Sequence, residues 1–238
     1  MKLRTRIKPL TIMLWFLSIA SVSLAMKTGD EPVLEVFKNT WVEPWFQKLP
    51  AGNAILFNLS VGFLVSVTFY LLVVWFPDSR RKNLIKKNLA EQYKSFKKDT
   101  IHILLSACPI CDRASLPENL TEQHEFRKYF KERISDSQER WSAVLDGLND
   151  VLLKDLLVEF EILLTEVTYV LNNVNIEDPD VFFFFKRLSQ TVNKMKITTL
   201  EYDDIKQLSQ FLWELFAGWS FIDGYREDDI VDVMIEGI

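Results

Sequence analysis

The sequence predicts an all-α protein: a two-transmembrane-helix hairpin followed by a cytoplasmic helical bundle. Three observations carry this expectation. Two long runs without a charged residue stand near the N-terminus, at residues 9–26 and 54–76. From residue 80 onward, apolar residues recur at helical spacing. Gly and Pro number only 7 and 8 in 238 residues, too little turn material for a sandwich or barrel of many short strands.

Residues 1–8 form a cationic N-terminus (Lys2, Arg4, Arg6, Lys8). Pro9 to Met26, "PLTIMLWFLSIASVSLAM", is the first predicted span. Its rival reading is a cleaved signal peptide, because Ser23 and Ala25 supply small residues where a signal peptidase cuts. The run exceeds a 7–15-residue h-region, which favours retention. Residues 27–53 form an extracytoplasmic connector. Its Val33, Phe37, Trp41, Trp45 and Leu49 approximate an amphipathic stripe interrupted by Pro44, with the tryptophans at headgroup level. Ala54 to Phe76, "AILFNLSVGFLVSVTFYLLVVWF", is uncharged and long enough to cross the ~30 Å hydrocarbon core as the second span. Pro77 is expected to stop this helix, and Arg80, Arg81 and Lys82 follow. The net charge of −5 hides these basic blocks beside the apolar runs, a distribution that fits a membrane surface and argues against direct nucleic-acid binding. The positive-inside rule places both termini in the cytoplasm of a multi-pass inner-membrane protein, with residues 77–238 as the cytoplasmic domain.

Within the second run Asn58, Gly62, Ser66 and Tyr70 recur every four residues and form one stripe. Gly62-x-x-x-Ser66 permits close approach of another helix, and Asn58 can hydrogen-bond across such a contact. The spacing leaves two partners open: the first span, through Ser18, Ser21 and Ala25, or a second copy of the chain.

In the cytoplasmic region, residues 80–107 carry Leu84/Ile85, Leu89, Tyr93, Phe96, Ile101 and Leu104 on one side and mostly Lys on the other. A second segment is predicted from about Pro117 to Ile134. A third starts after Ser135 and carries helical periodicity over some 35 residues, Trp141 to Val174 included, unusually long for one globular helix. Asp178-Pro179 opens a fourth, whose Phe182 to Phe185 point in every direction around one turn, so some of them face away from the segment's own core. A fifth covers about 202–222, and a short acidic helix closes the chain.

Chemistry-bearing patterns are few. The sequence contains no phosphate-binding glycine loop, no nucleophile elbow and no His-Glu-x-x-His, and neither apolar run holds an ionisable residue. No enzyme activity, cofactor or metal is assigned. Asp203-Asp204 and Asp228-Asp229 read as helix N-terminal positions. Both cysteines, Cys108 and Cys111, lie in "SACPICDR" between the only two histidines, His102 and His124. Their spacing is irregular for a zinc site. A cytoplasmic location implies reduced thiols, so the stretch reads as a Pro-containing turn between helices, with a zinc pin through His102, Cys108, Cys111 and His124 as the alternative.

The stretch "NLSVGFLVSVTFYLLVVWFPDSRRKNLIKKNLAEQYKSFKKDTIHILLSA" resembles the bacterial two-span membrane effectors that accompany retron reverse transcriptases in anti-phage defence. The likeness covers residues 50–107. It implies a toxin-like effector of abortive infection that is held inactive and, once triggered, disrupts or permeabilises the inner membrane. Such a protein would have the lipid bilayer and its own copies as partners, with a regulatory protein or ribonucleoprotein on the cytoplasmic side. The residues alone also admit a non-toxic anchor whose cytoplasmic domain docks a partner protein.

Overall fold

The structure, a computed structural model, describes residues 9–29, 49, 51–108, 118–136 and 138–238. The expected N-terminal segment 1–8, most of the connector 27–53 and the loop 109–117 lie outside the described residues. The chain is mostly helical and divides into two units, one ending at Arg81 and one beginning at Lys82.

In the first unit, helix α1 (Pro9–Thr28) packs along helix α2 (Asn53–Tyr70). The side of α1 bearing Leu14, Ser18, Ser21, Ala25 and Thr28 is the less exposed one. On α2 the covered side is Leu56, Ser60, Phe63, Leu64 and Val67. The remaining large side chains point outward, among them Trp15, Phe16, Ile55, Leu59, Val65 and Phe69, with Ile55 at 74% exposure. A helix pair apolar on its outer surface is unsuited to water and suited to hydrocarbon. Among the described residues one helix is long and apolar enough to cross a membrane: the run Asn53–Ala107, whose most apolar stretch has a mean hydropathy of 2.2 and is 6% buried. The apolar part of α1, Ile12–Thr28, is shorter.

The expected stop at Pro77 does not occur. A π-helical turn, Leu71–Trp75, leads directly into α3 (Phe76–Ala107), and the helix passes through the proline. Proline lacks an N–H and its ring crowds the carbonyl four residues back. Widening the turn just before it removes both conflicts, which is how a helix tolerates such a residue.

In the second unit, α3 contributes Ile85, Leu89, Tyr93, Phe96, Ile101 and Leu104 to the core, as its spacing predicts, while Leu84 faces outward. After a 3-10 turn (Asn119–Thr121) come α4 (Gln123–Lys131), a hairpin of β1 (Arg133–Ser135) and β2 (Gln138–Glu139), and α5 (Arg140–Asp146). The second predicted segment is therefore a shorter helix preceded by one turn and followed by strand. The third predicted segment is two helices, α5 and α6 (Asp150–Asn173). Gly147 sits against the chain at Ala107, where a Cβ would overlap the Ala107 carbonyl oxygen, and Asn149 then caps α6 by accepting from the N–H groups of Val151 and Leu152. The apolar rhythm carries on through the break because the core face is shared.

Helix α7 (Pro179–Met195) begins as expected, with Asp178 as its cap and Pro179 in its first turn. It packs beside α6 and buries Phe185, while Phe182 and Phe183 are exposed. Helix α8 (Tyr202–Phe216) is shorter than predicted. Gly218, at φ 64, turns the chain into a hairpin of β3 (Trp219–Ser220) and β4 (Gly224–Tyr225). Helix α9 (Ile230–Glu236) closes the chain. Aromatic rings form the centre of the unit: Phe96 meets Phe160 at 5.8 Å and Phe216 at 5.9 Å, and Phe126 meets Phe216 at 5.5 Å.

Candidate functional site

Three groups of residues carry chemistry, and each is built by a different part of the fold. The first is the stripe on α2. Asn58, Gly62, Ser66 and Tyr70 are all exposed; Asn58 and Gly62 lie well round the helix from the side that meets α1, and Ser66 and Tyr70 flank that side, three and seven residues from Phe63. The Ser66 hydroxyl donates to the Gly62 carbonyl at 2.8 Å, and nothing approaches the Gly62 Cα side within 4 Å. Of the two partners the spacing left open, the first span is not the one this face meets. Ser18, Ser21 and Ala25 do line the covered side of α1, which packs along α2.

The second group is polar and buried. Tyr93 and Lys97 are one turn apart on α3. The Tyr93 hydroxyl donates to Asp229 at 3.0 Å, and the Lys97 ammonium donates to the same carboxylate at 3.0 Å. Lys97 also lies 3.5 Å from Asp232 and over the Tyr93 ring. The side chains of Lys97 and Asp229 are each only 10% exposed. Asp229 is the expected helix-start residue, accepting from the Val231 N–H, and its second role as a buried ion-pair partner went unread. At the far end of α9, Lys86 donates to the Glu236 carbonyl at 2.6 Å, where a cation is favoured by the helix dipole. Desolvation raises the Tyr93 hydroxyl well above its ordinary pKa, with repulsion from Asp229 and Asp232 adding to it. Asp232 is also raised, first by desolvation and then by repulsion from Asp229, with Lys97 opposing. On α6, the half-buried Glu159 is raised by desolvation and by Asp99 and Asp155.

These two carboxyls set a pH dependence. Each binds a proton more readily in the folded than in the unfolded chain, so folding is favoured as pH falls from neutrality through the range just above their ordinary values of 3.8 and 4.5. Asp204 acts in the opposite sense: hydrogen bonds from the Thr199 hydroxyl and N–H lower it, and its contribution is lost only at more acid pH. The unfolding midpoint of the helical unit should therefore rise modestly as pH falls from neutrality toward the ordinary carboxylate range, and Asp232→Asn should flatten that rise. A series of urea unfolding curves over that range, with an unchanged or falling midpoint, would contradict it.

The third group joins α4 to the β3–β4 hairpin. The inward face of α4 buries Phe126 and Phe130, and its outward face presents His124, Arg127, Lys128 and Lys131. Tyr225, paired across the hairpin with Trp219, lies under two of these cations: the Arg127 guanidinium is 4.8 Å from its ring centre and the Lys131 ammonium 4.6 Å. Arg226 adds another cation and donates to Asp223 at 3.0 Å, and Arg127 donates to the Arg226 carbonyl. The result is an open basic cleft lined by His124, Arg127, Lys128, Lys131, Tyr225 and Arg226, with Glu227 at its edge. On the other side of Lys131 a second cleft opens, walled by Trp141, Trp213 and Trp219 and edged by Lys206, Gln210 and Glu139. The Trp141 N–H donates to the Ser209 hydroxyl at 3.0 Å. Nothing in the sequence reading singled out this pair of clefts.

Of the histidine–cysteine group, His102, Cys108 and His124 lie among the described residues. His102 and His124 are exposed, the latter 3.4 Å from Glu125. Cys108 is fully buried at the end of α3 and is disulfide-bonded, not the reduced thiol expected. Cys111 lies outside the described residues. Among the described residues no set of three His, Cys, Asp or Glu side chains is placed to hold a metal. Comparison of the chain with known protein families, with curated proteins and with solved structures finds no match.

Proposed function

We propose that the protein is a membrane-embedded, self-associating effector, non-enzymatic, that permeabilises the bilayer in which α1 and α2 sit as a two-span hairpin with both termini cytoplasmic. The observation that carries this reading is the outward-facing stripe Asn58, Gly62, Ser66 and Tyr70. In hydrocarbon the Asn58 amide has no water to bond, and an unsatisfied polar group there costs several kcal/mol. Contact with the same stripe on another copy satisfies the amide and lets the backbones approach at Gly62 and Ser66. Several copies meeting through polar stripes enclose a polar path, and the resemblance to defence effectors supplies a biological role for it.

Replacing Gly62 and Ser66 with Leu should convert oligomers to monomers and abolish both dye leakage from liposomes and depolarisation of bacteria on overexpression. Asn58→Leu should weaken association by roughly 1 kcal/mol, the scale of one interhelical hydrogen bond. Crosslinking in the membrane reads the first effect and a potential-sensitive dye the second. Wild-type protein that stays monomeric and leaves the potential intact at every expression level would overturn the reading.

A membrane anchor that docks a protein partner is the second reading, and α6 favours it. Val151, Val158, Ile162 and Tyr169 are exposed at spacings of seven, four and seven residues, an apolar row along one side of the helix. Such a row suits a partner helix or groove. Partner binding through this row is unaffected by the Gly62 and Ser66 substitutions, which separates the two readings.

A further inference from the structure

We propose that the two clefts flanking Lys131 form one binding site for a free nucleotide, with the base in the tryptophan cleft and the phosphates in the basic cleft. This goes beyond the membrane reading and does not depend on it.

The charges come first. Arg127 and Lys131 hold their cationic groups over one tyrosine ring, so they lie within about a Debye length, ~10 Å, of each other. They are spaced i, i+4 on α4, and like charges at that spacing repel. Arg127, Lys128 and Lys131 have no carboxylate partner among the described residues. On a chain of net charge −5 this face is cationic, with Glu227 in its lining and Asp223 paired to Arg226 as nearby anions. A phosphate chain bridging these side chains offsets the repulsion and receives charge-assisted hydrogen bonds.

The shape comes second. Lys131 lines both clefts, and Trp219 and Tyr225, paired across the hairpin with ring centres 4.8 Å apart, are the wall between them. A ligand with an aromatic part on one side and an anionic part on the other therefore reaches both with Lys131 at the junction. In the aromatic cleft the indole rings of Trp141 and Trp213, 5.2 Å apart, and Trp219 are half-buried and offer flat surface for stacking. The indole N–H groups of Trp213 and Trp219 have no partner among the described residues. Gln210 gives its amide N–H to Glu214 and keeps its carbonyl oxygen for an incoming donor. Hydrogen-bonding groups around an aromatic slot suit the edge of a nucleobase.

The test uses the full chain in detergent micelles, titrated with ATP, with adenosine and with inorganic pyrophosphate, and read by tryptophan fluorescence and by calorimetry. ATP should bind at least tenfold more tightly than either fragment and should quench tryptophan emission, and its affinity should fall as salt is raised. Lys131→Ala, at an exposed position, should weaken ATP binding tenfold or more while leaving the unfolding midpoint in place. Gln210→Ala should weaken adenosine and ATP alike and leave pyrophosphate unchanged. Pyrophosphate binding as tightly as ATP without quenching would reduce the site to an anion patch and overturn the proposal. So would tighter binding of a single-stranded RNA oligomer than of ATP, or no binding of any of the three ligands.

Discussion

Asp229→Ala should destabilise the helical unit by about 3–5 kcal/mol, the scale of breaking a buried ion pair by removing one partner. The value is large because three functions are lost together. Lys97 keeps its charge at 10% exposure with only the half-exposed Asp232 nearby. The Tyr93 hydroxyl, in a fully buried residue, loses its acceptor. The first turn of α9 loses its cap, worth about 1 kcal/mol by itself. Against a typical domain stability of about 5–15 kcal/mol this is a major fraction. Asp229→Asn keeps the cap but not the charge, and should be milder. Lys97→Met leaves the carboxylate buried near Asp232 and should again be costly, whereas Lys97→Met with Asp229→Asn should recover part of the loss. Denaturant unfolding of the full chain reads the four stabilities. Values additive to within about 0.5 kcal/mol would show that the pair is not coupled. Amide exchange over residues 230–236 should accelerate most, since the pair fastens α9 to α3.

Legibility in the sequence followed the range of the interaction. The core side of α3 was readable because Ile85, Leu89, Tyr93 and Phe96 are set by helical spacing alone. The start of α7 was readable because Asp178 and Pro179 act on their own turn. The break at Gly147 was not, because apolar period reports which face is buried and not whether the backbone is continuous; "DGLND" held the signal in its glycine and capping Asn149. Passage through Pro77 depends on a π turn that no residue pattern announces. The hairpins have strands of two or three residues, too short to alternate visibly. For the stripe on α2, spacing gave its members, but which side α1 covers is tertiary. The same limit hid the buried ion pair, whose Lys97 and Asp229 are 132 residues apart, and the clefts, whose Arg127 meets a tyrosine on another element. Asp229 read alone is a helix cap and Arg127 read alone is a solvated cation; their chemistry exists only in the fold.

Phe126→Ala should cost about 3–5 kcal/mol, the usual range for removing a fully buried phenylalanine. That lowers the melting temperature by about 6–20 °C for a unit of this size. Its ring touches Phe130 at 4.5 Å, Phe216 at 5.5 Å, and Trp141 and Trp213 at 5.9 Å each. It is thus the floor under α4 and the support for two of the three tryptophans in the aromatic cleft. A cavity there leaves those indoles without backing and loosens the helix that aligns Arg127, Lys128 and Lys131. Phe160→Ala is the matched control: that ring is equally buried, but its aromatic neighbours are Phe96 at 5.8 Å and Phe211 at 5.7 Å. Both variants should lose similar stability. Below the melting temperature of each, only Phe126→Ala should lose ATP affinity, by tenfold or more, and shift the tryptophan emission toward that of solvent-exposed indole. Equal affinities in the two variants would mean that the clefts are held in shape by the strand hairpin and not by the aromatic floor, and the role assigned to Phe126 would fall.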